Sequence, residues 1–201
     1  MSDPYLDKVY TARTDDETRE LYDAWAKTYD AAVEGEGYAT PRRCAEALHA
    51  LIPDPTAPIL DFGCGTGLSG LALRLAGFTT IDGVDLSSGM LDLARERQTY
   101  RRLSQIGSDD PLPGGYAAIA AIGVIGAGAA PLHALERIFD ALEPGAICVF
   151  SFNDHTLEDP DFEALVDRRV ADGSLTQLFR EHGPHLPGKN IESTVYVVEK
   201  K

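Results

Sequence analysis

Cysteine is scarce in this chain, with three residues among 201: Cys44, Cys64 and Cys148. They are odd in number, far apart and set in apolar patterns, which argues against a disulfide framework or a cysteine metal site and for reduced core thiols. Long hydrophobic runs are missing too. No apolar stretch reaches the ~18 residues of a membrane span, and no signal peptide precedes the first expected helix, so a cytoplasmic location with no membrane partner is expected. Basic side chains are in deficit, 18 Lys and Arg against 32 Asp and Glu, for a net charge of −14. Nucleic-acid affinity depends on neutralising phosphates, so this balance argues against a nucleic-acid partner. The local pairs Arg101-Arg102 and Arg168-Arg169 are expected to be solvated faces. There is no internal repeat and no low-complexity tract, although 123–131 is crowded with glycine and alanine. The length suits one compact domain covering 1–201.

The pattern that is present alternates between strand and helix. The first ten residues are expected to be disordered. Thr14-Asp15-Asp16-Glu17 then reads as a capping box that starts a helix through about Ala26, with Tyr22, Trp25, Ala26 and Tyr29 on one face. Thr40 followed by Pro41 reads as a second helix start, whose buried stripe is Cys44, Leu48, Leu51 and Ile52. After a stiff connector, 53–58, the expected order is strand 58–63, helix 67–76, strand 79–85, helix 88–98, strand 100–106, strand 116–124, helix 131–142 and strand 145–153. Such alternation means an α/β fold with a mostly parallel sheet. A helix from about Asp161 to Ala171 and two polar-alternating strands, Leu175 to Glu181 and Glu192 to Val198, close the chain. The turn-forming segment 182–188 is expected to be the loop between them.

The most informative run is Ile59-Leu60-Asp61-Phe62-Gly63-Cys64-Gly65-Thr66-Gly67, where a buried strand breaks into a glycine turn that opens a helix. Glycines at alternate positions remove the side chains that would hold a ligand off the backbone. Eighteen residues past Gly67 a second strand ends in Asp85, whose carboxylate can accept from both hydroxyls of a ribose. Together these imply an adenosine-binding half-fold. Gly65-x-Gly67-x-x-Gly70 also satisfies a dinucleotide fingerprint, so the glycines alone leave the cofactor open. Asp61 weighs against a pyrophosphate, which it would repel, and suits a methionine ammonium.

These pieces resemble the class I S-adenosylmethionine-dependent methyltransferases. The resemblance is carried by YDAWAKTYD, ILDFGCGTG, IDGVDLSSGMLDLA, PLPGGYAAIAAIGV and LEPGAICVFSF, and it spans most of the chain. Within that family the combination of YDxWAxxYD with Gly37-Tyr38-Ala39-Thr40-Pro41 is most similar to the small methyltransferase-like proteins related to the one encoded in the Williams-Beuren syndrome region. The resemblance implies a Rossmann-like fold with a seven-stranded, mostly parallel sheet, a C-terminal antiparallel hairpin, an N-terminal helical lid over 1–57 and a core over 58–201. It implies S-adenosyl-L-methionine as cofactor, held by Asp61, Gly63, Gly65, Gly67, Asp85, Leu86 and Met90. The adenine contact is expected from Gln105 and Ile106, with Asp109 as a second candidate. Trp25 and Tyr29 either fold over the cofactor or form an ordinary core stripe.

No catalytic group can be assigned from the sequence. His155 follows the last parallel strand at the sheet's carboxyl edge and is the weak candidate for a substrate-facing base; His133 lacks a motif, and His182 and His185 read as surface histidines with too few ligands for a metal. Small size favours a small-molecule methyl acceptor. A noncatalytic module that binds the cofactor or its demethylated product, and a dinucleotide-dependent oxidoreductase, are the alternatives. Oligomeric state has no signature here.

Overall fold

A computed structural model describes residues 15–126 and 128–201. The expected disorder of the first ten residues and the capping Thr14 lie outside the described residues.

Seven strands form one sheet: β1 (Ile59–Phe62), β2 (Ile81–Asp85), β3 (Arg102–Gln105), β4 (Ala118–Ala121), β5 (Ile147–Asn153), β6 (Leu175–Leu186) and β7 (Ile191–Lys200), in the order β3-β2-β1-β4-β5-β7-β6. The first five strands pair in parallel, and β7 is antiparallel to both β5 and β6. The strand order reverses between β1 and β4, which opens a crevice at their carboxyl ends where α/β sheets bind ligands.

Period-2 alternation divides the core between the two faces of the sheet. Leu60, Phe62, Phe150 and Phe152 face one way, against Leu135, Ile138 and Phe139 of α5 (Leu132–Ala141) and Phe162, Leu165 and Val166 of α7 (Pro160–Ala171). Ile59, Ile81 and Val149 face the other, against Cys44 and Leu48 of α2 (Thr40–Leu51) and Leu73 of α3 (Leu68–Leu75). All three cysteines are buried free thiols. Desolvation pushes the Cys44 thiol up to about 12, so it is unreactive. Among the described residues no helix is long and apolar enough to cross a membrane.

Several boundaries differ from the sequence reading. The first helix, α1 (Asp15–Gly35), runs nine residues past Ala26, because Ala31-Ala32-Val33-Glu34 contains no breaker and Val33 finds a buried seat. Thr40 does not cap α2: Ala39 holds that place, and the Thr40 hydroxyl is committed to His185 and Ser193. Leu51, expected in the buried stripe, is exposed. The expected 182–188 loop is mostly strand. β6 continues to Leu186 by absorbing Pro184 at a register shift, which an edge strand tolerates, and the true turn is the short 3-10 segment Pro187–Lys189. A one-turn helix, α6 (Asp154–Leu157), was not foreseen; Asn153 caps it by accepting from the Thr156 amide.

Arg101 and Arg102 are exposed, as expected, but both are tied to the buried Asp82. Asp82 is 3% exposed and accepts from Arg101 Nε at 2.9 Å, from Arg102 Nη2 at 2.8 Å and from the Tyr116 hydroxyl at 2.8 Å. Hydrogen bonds from Arg101, then Arg102 and Tyr116, hold its carboxyl well below the usual range. The pair Arg168-Arg169 does lie on the surface, bound to Glu136 and Asp140.

Candidate functional site

The crevice between β1 and β4 is a cavity of about 140 Å³, walled by the turn after β1, the end of β2, the loop after β3 and the segment after β4. The three motif glycines meet different demands. Gly63 has φ +66°, and a Cβ there would lie 2.2 Å from Val124 Cγ2, so it is required where β1 and β4 converge. Gly65 has φ +52°, and a Cβ would meet nothing within 4 Å. It lines the cavity and leaves the backbone bare to a ligand. Gly67 occupies the N-cap of α3 at φ 94°, packed against Arg97, and is not on the cavity wall.

Asp85 joins the two turns. Its Oδ2 accepts from the Gly65 amide at 2.7 Å and its Oδ1 from the Ser87 amide at 2.9 Å. Each oxygen keeps further acceptor capacity, and the residue lines the cavity. Burial raises its pKa, against the lowering effect of the Ser87 and Gly65 amides. Leu86 and Met90 line the same wall, the latter at the start of α4 (Ser88–Glu96), which Ser87 caps by accepting from the Met90 amide at 3.0 Å.

Asp61 is placed behind that wall. It is fully buried, and its Oδ2 accepts from the Ser69 hydroxyl at 2.6 Å and from the Tyr100 hydroxyl at 2.7 Å. Its Oδ1 is buried with no hydrogen-bond partner. Desolvation pushes this carboxyl up to about 7, against the lowering effect of the two hydroxyls. Ser69, not Asp61, is the member of this group that reaches the cavity. Beyond β3, Ile106 lines the cavity together with Gly107 and Ser108. Gln105 turns its amide away to donate to the Leu86 carbonyl at 2.8 Å, and neither it nor Asp109 is on the wall.

The aromatic segment of α1 divides between the core and the cavity wall. Trp25 is 2% exposed and packs edge-on against Tyr29 at 4.7 Å, in a small cluster with Val33 and Leu186. Tyr22 and Tyr29 line the main cavity, whereas Trp25 lines only a smaller adjoining one. Two carboxylates fasten α1 to the turns after β1 and β2. Asp23 accepts from the Ser87 hydroxyl and from the Gly89 amide. Asp30 accepts from the Thr66 hydroxyl at 2.5 Å and pairs with Arg97, whose Nε also donates to the Thr66 carbonyl at 2.7 Å.

His155 is not among the groups brought together. It is half exposed on α6, 3.6 Å from Glu158, and lines neither cavity. His182 does sit at the surface, between Thr194 and Glu192. His185, read as a surface residue, is instead 7% exposed because β6 extends to include it. Among the described residues no group of three or more His, Cys, Asp or Glu is arranged to hold a metal.

The sequence reading missed Arg137. It lines the main cavity from α5, its guanidinium lies 5.8 Å over the Phe62 ring, and all three of its nitrogens are buried without a hydrogen-bond partner. Its signal was faint, since it stands at the edge of the stripe Ala134, Leu135, Ile138 and Phe139. The crowding of 123–131 also has a reason here. A Cβ on Gly123 would lie 1.9 Å from the Tyr38 hydroxyl, and one on Gly126 would lie 2.1 Å from Thr156 Oγ1.

A seven-stranded sheet with one antiparallel strand, a glycine turn after β1 and a carboxylate ending β2 define a class I methyltransferase architecture. Residues 37–195 match the family model described as a methyltransferase domain, and the chain belongs to that family. It is 36% identical over 156 residues to human methyltransferase-like protein 27, an alignment covering 74% of this chain and 64% of that protein. The chain therefore spans just under two thirds of that relative's length. Among solved structures the fold is similar to an amino pentose methyltransferase from Micromonospora echinaspora with S-adenosylmethionine bound, with TM-score 0.62 and 19% identity over 87% of this chain and 97% of the other. It is similar as well to the cyclase SpnF, with TM-score 0.64 and 18% identity over 94% of this chain and 97% of that one.

Proposed function

We propose that this protein transfers a methyl group from S-adenosylmethionine to a small-molecule acceptor. The observation that carries this reading is Asp85, which joins the Gly65 and Ser87 turns through its two oxygens and still presents acceptor capacity to a cavity floored by bare glycine backbone. A ribose with two adjacent hydroxyls suits such a carboxylate. Met90, Leu86 and Ile106 supply apolar walls for an adenine. Ser69, backed by the buried Asp61, offers a polar end for the amino-acid portion. The open space at Gly65, on the cavity wall, fits the group because nothing there holds a ligand off the backbone.

When bound, S-adenosylmethionine supplies an electrophilic methyl carbon on a sulfonium. The chain's own share of the chemistry is alignment and exclusion of water. Tyr22 and Tyr29 of α1 cover the cavity, and the Asp23 and Asp30 contacts hold that cover against the turns that would grip the cofactor. A cavity lined by Tyr22, Tyr29 and Tyr38 suits a small acceptor better than a folded macromolecule. Calorimetry with S-adenosylmethionine, S-adenosylhomocysteine and NAD tests the reading: binding of the first two and not of NAD is expected. Binding of NAD alone would overturn it. Turnover in a methyl-acceptor screen then separates an enzyme from a module that only binds the cofactor.

A further inference from the structure

Tyr22, Tyr29, Tyr38, Gly123 and Ala129 are shared between the main cavity and a second one of about 60 Å³, less than half its volume. The second cavity has room for a fragment beside a cofactor rather than for a cofactor. Aromatic side chains form one side of it, and its polar end is Asn153, Thr156 and His185.

His185 is set there by a chain of hydrogen bonds. Its Nδ1 lies 2.8 Å from Thr40 Oγ1, which lies 2.8 Å from Ser193 Oγ, which accepts from Arg43 Nη1 at 3.1 Å. A guanidinium only donates, so Ser193 Oγ is an acceptor at that contact. If Ser193 then donates to Thr40 and Thr40 to Nδ1, each hydroxyl proton has an acceptor; the reverse direction leaves the Ser193 proton with none in the relay. This network favours Nδ1 as an acceptor, with the imidazole proton on Nε2. That edge has no hydrogen-bond partner among the described residues. The Tyr38 ring meets His185 edge-on at 5.2 Å and fixes its plane. Burial lowers the imidazole pKa to about 4, so the ring is neutral and a poor base, and it serves as a donor. Asn153 Oδ1 is already taken by the Thr156 amide and hydroxyl, leaving its NH₂ as the polar group it can still offer. The polar end thus supplies donors.

We propose that this second cavity is the acceptor's subsite, and that it takes a flat aromatic ring bearing an sp² oxygen, carboxylate or carbonyl, anchored by His185 Nε2–H. The proposal rests on the main cavity being the cofactor site.

The test is an NMR titration of the whole chain, saturated with S-adenosylhomocysteine, using benzoate, methyl benzoate and benzylamine as probes. Benzoate and methyl benzoate should shift the Trp25 indole and His185 imidazole signals, and benzylamine, which brings a cationic donor instead, should not. His185→Asn places its amide where Nδ1 was and cannot reach the Nε2 position, so benzoate binding should weaken roughly tenfold. His185→Gln reaches it and should retain binding, while S-adenosylhomocysteine affinity stays unchanged in both. No benzoate response, an equal response to benzylamine, or wild-type binding by His185→Asn overturns the proposal. Nitrogen shifts of the wild-type imidazole keep it falsifiable if either variant fails to fold: a charged or Nδ1–H ring at neutral pH contradicts it. Failure of S-adenosylhomocysteine to bind would sink the cofactor reading, whereas its binding without any benzoate response sinks only the subsite.

Discussion

Replacing Asp61 with Asn should make the protein's pH dependence shallower. The carboxyl is fully buried, which pushes its pKa in the fold up to about 7, against an ordinary value of 3.8. A folded pKa raised above the unfolded one means the native state holds its proton more tightly, so stability falls as pH rises from the unfolded to the folded pKa. Linkage with these two values gives a loss of about 2–3 kcal/mol between about pH 5 and about pH 8 from this one group. Asn accepts from Ser69 and Tyr100 as the protonated acid does but cannot ionise. Its NH₂ takes the place of the unpartnered Oδ1, at a cost of about 1–3 kcal/mol that does not change with pH. Urea unfolding of both proteins at the two pH values isolates the titration, because the constant cost cancels in the double difference. Asp61→Asn should gain about 2–3 kcal/mol on wild type in going from the lower to the higher pH. Asp85, also raised, titrates in both proteins and cancels apart from its charge coupling to Asp61, a minor cause beside burial. A double difference near zero would mean that Asp61 titrates normally in the fold and that burial does not set its pKa.

Three further outcomes follow from the same geometry. Asp82→Ala strips the shared acceptor from Arg101, Arg102 and Tyr116 and should cost about 2–3 kcal/mol in denaturant unfolding near neutral pH; because the fold lowers this pKa, the difference from wild type should shrink as pH falls below the unfolded value of 3.8. Arg137→Met removes a buried guanidinium that has no hydrogen-bond partner and should raise the ligand-free stability by about 1–4 kcal/mol in the same assay; a loss of that size would show that the charge is compensated. Hydrogen exchange across residues 20–38 should slow when S-adenosylhomocysteine binds, and Arg97→Ala, which releases Asp30, should speed exchange there in the ligand-free protein. Equal protection with and without ligand would make the aromatics of α1 ordinary core.

The order of the strands was legible because period and punctuation change together: apolar runs end at Gly63 and Asp85, and helical spacing resumes after each. The glycine turn and the placement of Asp85 beside it were legible because both depend on local backbone chemistry. What escaped depends on pairings distant in sequence. Nothing near Asp82 shows that Tyr116, in another strand's approach, will reach it. Thr40 carries a local capping signal that is overruled by His185 and Ser193, about 150 residues away. His185 looked solvent-facing because Gly183 and Pro184 suggest a loop, and only pairing with β7 carries the strand past them. Arg137 is exceptional in another way, since a lone Arg at the edge of an apolar stripe ordinarily reaches solvent.

In the proposed function Asp85 and the glycine turn hold an adenosine cofactor. Calorimetric titration of wild type and Asp85→Ala with S-adenosylhomocysteine, with thermal melts confirming that the variant folds, tests it most directly. Loss of a charge-assisted acceptor predicts weakening by about 1.5–3 kcal/mol, roughly 10- to 150-fold. Equal affinity in a folded Asp85→Ala protein, or no binding by wild type, would contradict it.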